Sequence, residues 1–68
     1  MRIPDRYIGK TIELVYVDRF GNVTQRRVIV KQLHERMADV YCLKRMQYRR
    51  LVLNQILAFT LAAGKKFG

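Results

Sequence analysis

The sequence predicts a mainly β fold, a small barrel of about five antiparallel strands with one short helical turn near residues 54–56. Three observations lead to this prediction. The 68 residues suffice for a single small domain. β-Branched and aromatic residues recur in short runs, and several runs alternate between apolar and polar positions as the two faces of a strand do. Turn-forming or polar segments separate the runs, which is typical of hairpins.

Residues 1–68 are expected to form one domain with a core over about 10–62 and flexible ends at 1–6 and 64–68. The N-terminal stretch contains the only proline, Pro4, and is expected to be an extended lead-in that is loosely ordered at its start. The final residues include two lysines and predict a frayed basic tail. No internal repeat or linker divides the chain.

The first strand is expected to begin near Lys10. Over Thr11–Val17 the side chains alternate, so one face of the strand carries larger apolar groups than the other. The residues expected to face the core are Ile12, Leu14 and Tyr16.

A turn is predicted at Asp18–Asn22. An aspartate side chain can accept hydrogen bonds from the backbone of its own turn, and Gly21 tolerates a positive φ angle. The chain then returns in a second strand over Val23–Lys31, where Val28 and Val30 form the expected core pair.

The second half of the chain predicts another hairpin. Residues 33–39 are treated as a connection, a third strand covers about Met37–Lys44, and a fourth covers about Arg49–Leu53. A helical turn at 54–56 is expected to precede a fifth strand. The last apolar run also fits a helical stripe, so strand and helix both remain open for residues 56–62.

The balance of charge points to anionic partners. The net charge is +9, from 14 lysines and arginines against 5 acidic residues, and such a charge favours nucleic acid, nucleotides or acidic proteins. Four cations are expected where the strands of the second hairpin meet: Lys44, Arg45, Arg49 and Arg50. Like charges that face each other destabilise a strand pair, so an anion bound there would relieve the repulsion.

Six side chains are the candidate binding residues. Guanidinium and ammonium groups bind phosphate oxygens, and the residues expected to do so are Arg26, Lys44, Arg45 and Arg49. Bases stack on aromatic rings, and the candidates are Tyr48, at the turn, and Tyr41. The alternatives are a solvated basic face for the cations and a packing role for Tyr41.

Several functional classes are not expected. With one cysteine and one histidine, the chain cannot form an internal disulfide or a four-ligand zinc site. No catalytic set of residues is spaced for an enzyme, and no cofactor is expected. No apolar run reaches the ~20 residues of a bilayer helix. We therefore expect a cytoplasmic, non-enzymatic domain without a membrane partner, whose thin core favours a homodimer.

Two motifs stand out by their order along the chain. The first hairpin carries Ile12, Tyr16, Asp18, Gly21, Thr24, Arg26, Val28 and Val30. The second carries Val40, Tyr41, Cys42 and Arg45, followed by Arg49–Ile56. The two motifs resemble those of the WYL domain, a family of bacterial and phage regulators, and Arg49–Ile56 has the family spacing. Leu51 and Gln55 stand where phenylalanine and arginine are usual.

The resemblance implies an SH3-like or Sm-like barrel that binds nucleotides or single-stranded nucleic acid through arginine and tyrosine side chains, in the service of transcription regulation. The function expected is therefore a ligand-binding regulatory module whose basic hairpin takes nucleic acid or a nucleotide. The alternative is a protein-interaction or self-assembly module that binds an acidic protein or a second copy of the chain.

Overall fold

The computed structural model describes residues 3–62, and within them the fold is mainly β. Five antiparallel strands form one sheet, and two single 3-10 turns complete the fold, which confirms the predicted class. The strands are β1 (Thr11–Val17), β2 (Val23–Leu33), β3 (Met37–Cys42), β4 (Gln47–Val52) and β5 (Ile56–Leu61). The 3-10 turns cover Asp5–Tyr7 and Leu53–Gln55. No helix among the described residues is long and apolar enough to cross a membrane.

The order of the strands explains why the sheet curls. The order is β4-β3-β2-β1-β5, which would place β4 and β5 about 19 Å apart in a flat sheet. Only Leu53–Gln55 connect these two strands, and a 3-10 turn of this length advances the chain by about 8 Å. The sheet therefore curls so that the end of β4 lies near the start of β5, but the two strands do not pair, and both remain edges of the sheet. The predicted helical turn forms one residue earlier than expected, at Leu53–Gln55, and of the two structures left open for residues 56–62 the chain adopts the strand, over Ile56–Leu61.

β2 is longer than β3 and extends beyond it at one end. β2 has 11 residues and β3 has 6. On one side, β2 pairs with β1 from Val23 to Ile29. On the other side, β2 pairs with β3 only from Val28 onward. Residues 23–27 of β2 therefore extend beyond the end of β3 and form ladder pairs on one side only. A groove can form there.

The core lies on the inner face of the curled sheet. Ile12, Leu14, Val28 and Val30 are almost completely buried, as the alternation of the first hairpin predicted. Tyr16, also predicted inside, is only half-buried. Its hydroxyl needs a polar partner, and it donates a hydrogen bond to Oε1 of Gln55 at 3.0 Å.

The core starts earlier in the chain than predicted. Ile3 is buried in the core cluster, so a core that begins near residue 10 was wrong. The segment 5–7 forms a 3-10 turn rather than an extended lead-in, and the Tyr7 ring meets Phe59 of β5 edge to face, with centroids 5.4 Å apart. Residues 1–2 and the predicted tail at 64–68 lie outside the described residues.

The turn at Asp18–Asn22 forms as predicted. Oδ1 of Asp18 accepts hydrogen bonds from the backbone N–H groups of Phe20 and Asn22 at 2.8 and 2.9 Å, and Gly21 has φ +85°. The hydrogen bond from the Asn22 backbone is the largest cause that lowers the pKa of Asp18. The ionised carboxylate thus holds the turn that starts β2.

The second hairpin differs in its boundaries. β3 ends at Cys42 and β4 starts at Gln47, whereas the sequence predicted a strand through Lys44 and another from Arg49. Lys44 therefore belongs to the turn 43–46, and Tyr48 belongs to a strand. The register pairs Cys42 with Gln47, so the hairpin closes earlier than the sequence pattern suggested.

Candidate anion-binding site

A basic groove lies beside the part of β2 that extends beyond β3. Its volume is about 470 Å³. One wall of the groove is formed by β2, and the opposite wall is formed by the turn 43–46. The lining residues are Thr24, Gln25, Arg26, Arg27, Cys42, Lys44 and Arg45. Four of these side chains are cationic and none is acidic. We call this site the β2 groove.

The β3–β4 turn brings Lys44 and Arg45 to the groove. The Met46 backbone N–H donates to the carbonyl of Cys42 at 2.7 Å, which closes the turn tightly. The Leu43 backbone N–H donates to the carbonyl of Arg27 at 3.2 Å and so attaches the turn to β2. Both exposed cations, Lys44 and Arg45, are consequently held beside the overhanging strand.

Arg26 approaches the groove from the inner face of β2. Its guanidinium lies over the ring of Tyr16, with 5.9 Å from Cζ to the centroid, and its Nε donates to Oγ1 of Thr24 at 3.3 Å. Tyr16 in turn is held by Gln55. These contacts orient the Arg26 side chain before any ligand arrives, which reduces the conformational entropy lost on binding.

The groove cations differ in their pairing. Arg27 donates from Nε to Oε2 of Glu13 at 3.2 Å, so a carboxylate already neutralises it in part. Within residues 3–62, Arg26, Lys44 and Arg45 form no salt bridge. These three charges are therefore the ones available to an anion, and their mutual repulsion favours binding one.

Arg49 does not join the other predicted phosphate ligands. It lies in the middle of β4, opposite Val40, and lines a separate shallow depression together with Asp39, Tyr48 and Arg50. The placement of Arg49 and Arg50 at the turn end of the hairpin was therefore wrong.

Arg50 is committed to a polar cluster. Its Nε donates to Oδ1 of Asp39 at 2.8 Å, and Nε2 of His34 lies 2.9 Å from the other oxygen of the same carboxylate. The hydrogen bond from Arg50, and after it that from His34, lowers the pKa of Asp39. The carboxylate stays ionised and bonded to Arg50, so the charge of this arginine is already neutralised in part.

Tyr41 and Tyr48 contact each other. They face one another across β3 and β4, and their rings meet at 72° with centroids 4.9 Å apart. Tyr41 is half-buried, whereas Tyr48 is 69% exposed. Tyr48 is therefore the more accessible of the two rings, and Tyr41 is its packing partner.

Sequence reasoning missed Arg27 and Thr24 as groove residues. The alternation had placed Arg26 and Arg27 on opposite faces of β2, which is correct, since Arg26 pairs opposite Leu14 and Arg27 opposite Glu13. Both nevertheless line the groove, because the groove runs along an edge of β2 and is reached from either face. The sequence carried no signal for this, because the groove depends on β3 ending at Cys42 opposite Val28, which only the register shows.

Met46 adopts an unfavourable backbone conformation in the turn that carries Lys44 and Arg45. Its φ is +55°, and its side chain is 75% exposed. Replacing it with glycine, Met46→Gly, should stabilise the fold by about 0.5–1 kcal/mol, because glycine reaches this region without the Cβ clash. The melting temperature measured by circular dichroism should rise by roughly 2–8 °C. Met46→Ala is the control, since it removes the side chain and keeps the clash. An equal rise in both variants would contradict the explanation.

No protein-family model matches this sequence, and neither a curated protein nor a solved structure matches it significantly. The resemblance to WYL domains stays a prediction. The geometry of the β2 groove is the observation that bears on function.

Proposed function

We propose that this chain is a non-enzymatic binding module that takes a phosphate-bearing ligand, nucleic acid or a nucleotide, in the β2 groove. The observation that supports the proposal is the convergence of Arg26, Lys44 and Arg45 around one groove without an acidic lining residue. In this proposal the two arginines bind phosphate oxygens bidentately and Lys44 adds a mobile point charge.

The size of the groove suits this ligand class. Its volume of about 470 Å³ falls within the range of small-ligand sites. A longer single-stranded nucleic acid would extend out of the groove and past the turn 43–46. There Tyr48 offers an exposed ring and Arg49 offers a further cation. Stacking on Tyr48 would contribute about 1–3 kcal/mol per base without sequence preference.

We also propose a cellular role and compartment for the chain. A phosphate-binding barrel with the WYL-like motifs would act as a ligand-sensing part of a bacterial transcription regulator. We place it in the cytoplasm, where nucleotides are abundant and a lone buried thiol such as Cys42 stays reduced.

Salt dependence tests the proposal. A fluorescently labelled single-stranded oligonucleotide should bind at low salt, and the logarithm of the association constant should fall linearly with the logarithm of the salt concentration. Three phosphate contacts predict a slope of about −2, at about −0.7 per contact for a single strand. Competition with mononucleotides then separates a nucleotide pocket from a nucleic-acid surface. No binding at low salt would overturn the proposal.

A second candidate ligand for the same groove is an acidic, extended peptide. It is favoured by the open edge of β2, which over residues 23–26 has no second strand among the described residues and so can pair with a peptide backbone. Polyglutamate serves as the probe. If it displaces the oligonucleotide at equal charge concentration, the groove selects for charge alone; if it fails, phosphate geometry decides the binding.

A further inference from the structure

β5 is an open edge of the sheet. It pairs with β1, and within residues 3–62 no strand lies on its other side. Exposed edges are usually protected by charged side chains, proline, a bulge or a covering segment. β5 has a bulge at Leu57, where its register with β1 shifts. Its six residues, Ile-Leu-Ala-Phe-Thr-Leu, include neither a charge nor a proline, and Ala58–Leu61 pair with β1 in regular register. This edge is therefore able to pair with another strand.

The side chains of β5 are unusually apolar for an exposed strand. Leu57 is 51% exposed and Leu61 is 48% exposed, and Ala58 and Thr60 between them are also exposed. Phe59 is half-buried. Two large apolar groups four residues apart thus flank the middle of the strand.

This spacing is self-complementary. In an antiparallel pair of two β5 strands related by a two-fold axis at Phe59, Leu57 of one copy lies opposite Leu61 of the other, and Ala58 lies opposite Thr60. Each exposed leucine then meets a leucine. Two-fold dimers bring together residues in this reciprocal way, and apolar cross-strand pairs are the unit of sheet stabilisation.

The distribution of charge decides between the two open edges. β4 is the other edge, and it carries Arg49 and Arg50 and continues from the turn with Lys44 and Arg45. Two β4 edges would bring these like charges together, whereas two β5 edges bring none. For a chain of net charge +9, the uncharged edge is the one where a second copy meets the least repulsion.

From these observations we propose that the chain forms a homodimer by antiparallel pairing of β5 with β5 around Phe59. The two barrels then share one continuous sheet of ten strands. The β2 groove is not part of this contact, so the dimer does not depend on the function proposed above.

Light scattering coupled to size exclusion tests the dimer. The chain should elute with twice its mass of 8.1 kDa and dissociate on dilution. Leu61→Lys should weaken the dimer at least about 30-fold, because each dimer loses two apolar contacts. Phe20→Lys is the matched control. It places the same charge at a side chain that is 80% exposed in the β1–β2 turn, and it should leave the dimer intact. A monomer at every concentration, or equal weakening by both variants, overturns the proposal.

Disulfide cross-linking tests the register independently of stability. Ala58→Cys and Thr60→Cys are prepared separately and mixed, with Cys42 kept because it is buried. Directly opposite residues of an antiparallel pair are close enough for a disulfide, so the mixture should cross-link between unlike copies more than either variant alone. Equal cross-linking in all three samples overturns the proposed register.

Discussion

Arg26→Glu combined with Arg45→Glu is expected to lower the affinity for a single-stranded oligonucleotide by about 100-fold or more at low salt. Hydrogen bonds to charged groups contribute about 1.5–3 kcal/mol each, and both variant positions also gain a charge that repels phosphate. The salt slope measured by fluorescence anisotropy should become shallower by about 1.4, which is two contacts at about 0.7 each.

The control for this variant is Lys31→Glu combined with Arg36→Glu. It changes the net charge by the same amount, and both side chains are exposed. Lys31 lies five positions along β2 from Arg26, about 17 Å away, and Arg36 lies in the β2–β3 connection. This control should lose little affinity and keep its slope. If both double variants lose affinity equally, net charge rather than the β2 groove governs binding.

Ile12→Ala is expected to unfold most of the chain at room temperature. Ile12 is fully buried, and it lies between Val28 of β2 and Leu61 of β5. Truncating a buried isoleucine costs about 2–5 kcal/mol. A core of this size supplies roughly 3–5 kcal/mol in total, so the change removes most of the stability. Urea denaturation followed by circular dichroism at fixed protein concentration should show a weak transition or none.

Ile8→Ala makes the same chemical change outside the core. Ile8 is 43% exposed and lies in the connection between the first 3-10 turn and β1, so this variant should lose less than about 1 kcal/mol, as surface substitutions commonly do. If Ile12→Ala instead unfolds in a sharp transition near that of the unmodified chain, the fold does not depend on the packing of Ile12.

The fold was predictable because its signals are local. Alternation with a period of two gave the inner face of β1 and β2, and Asp18 and Gly21 gave the turn between them. The boundaries of the second hairpin were not predictable in the same way. Lys44 continues the alternation of β3, but the register of β3 with β4 ends the ladder at Cys42 and Gln47.

The candidate site was predictable only in part. Arg26, Lys44 and Arg45 could be singled out as cations, and they do converge. Arg49 and Arg50 could not be distinguished from them by sequence, since their positions depend on where the turn closes. The ion pair between Arg50 and Asp39 joins residues on neighbouring strands, and only the register shows it.

By itself the sequence determined the mainly β class, the positions of five strands and the excess of positive charge, because each depends on residue type and on neighbours a few positions away. Only the tertiary structure decided how the charge is arranged. The basic and aromatic residues of the second hairpin fall into separate groups: Lys44 and Arg45 line the β2 groove, Tyr41 and Tyr48 pack on each other, and Arg50 is held by Asp39. The physical reason is that β2 extends beyond β3, so the register that pairs Val28 with Cys42 places Arg26 beside the β3–β4 turn, and no local pattern in the sequence records that register.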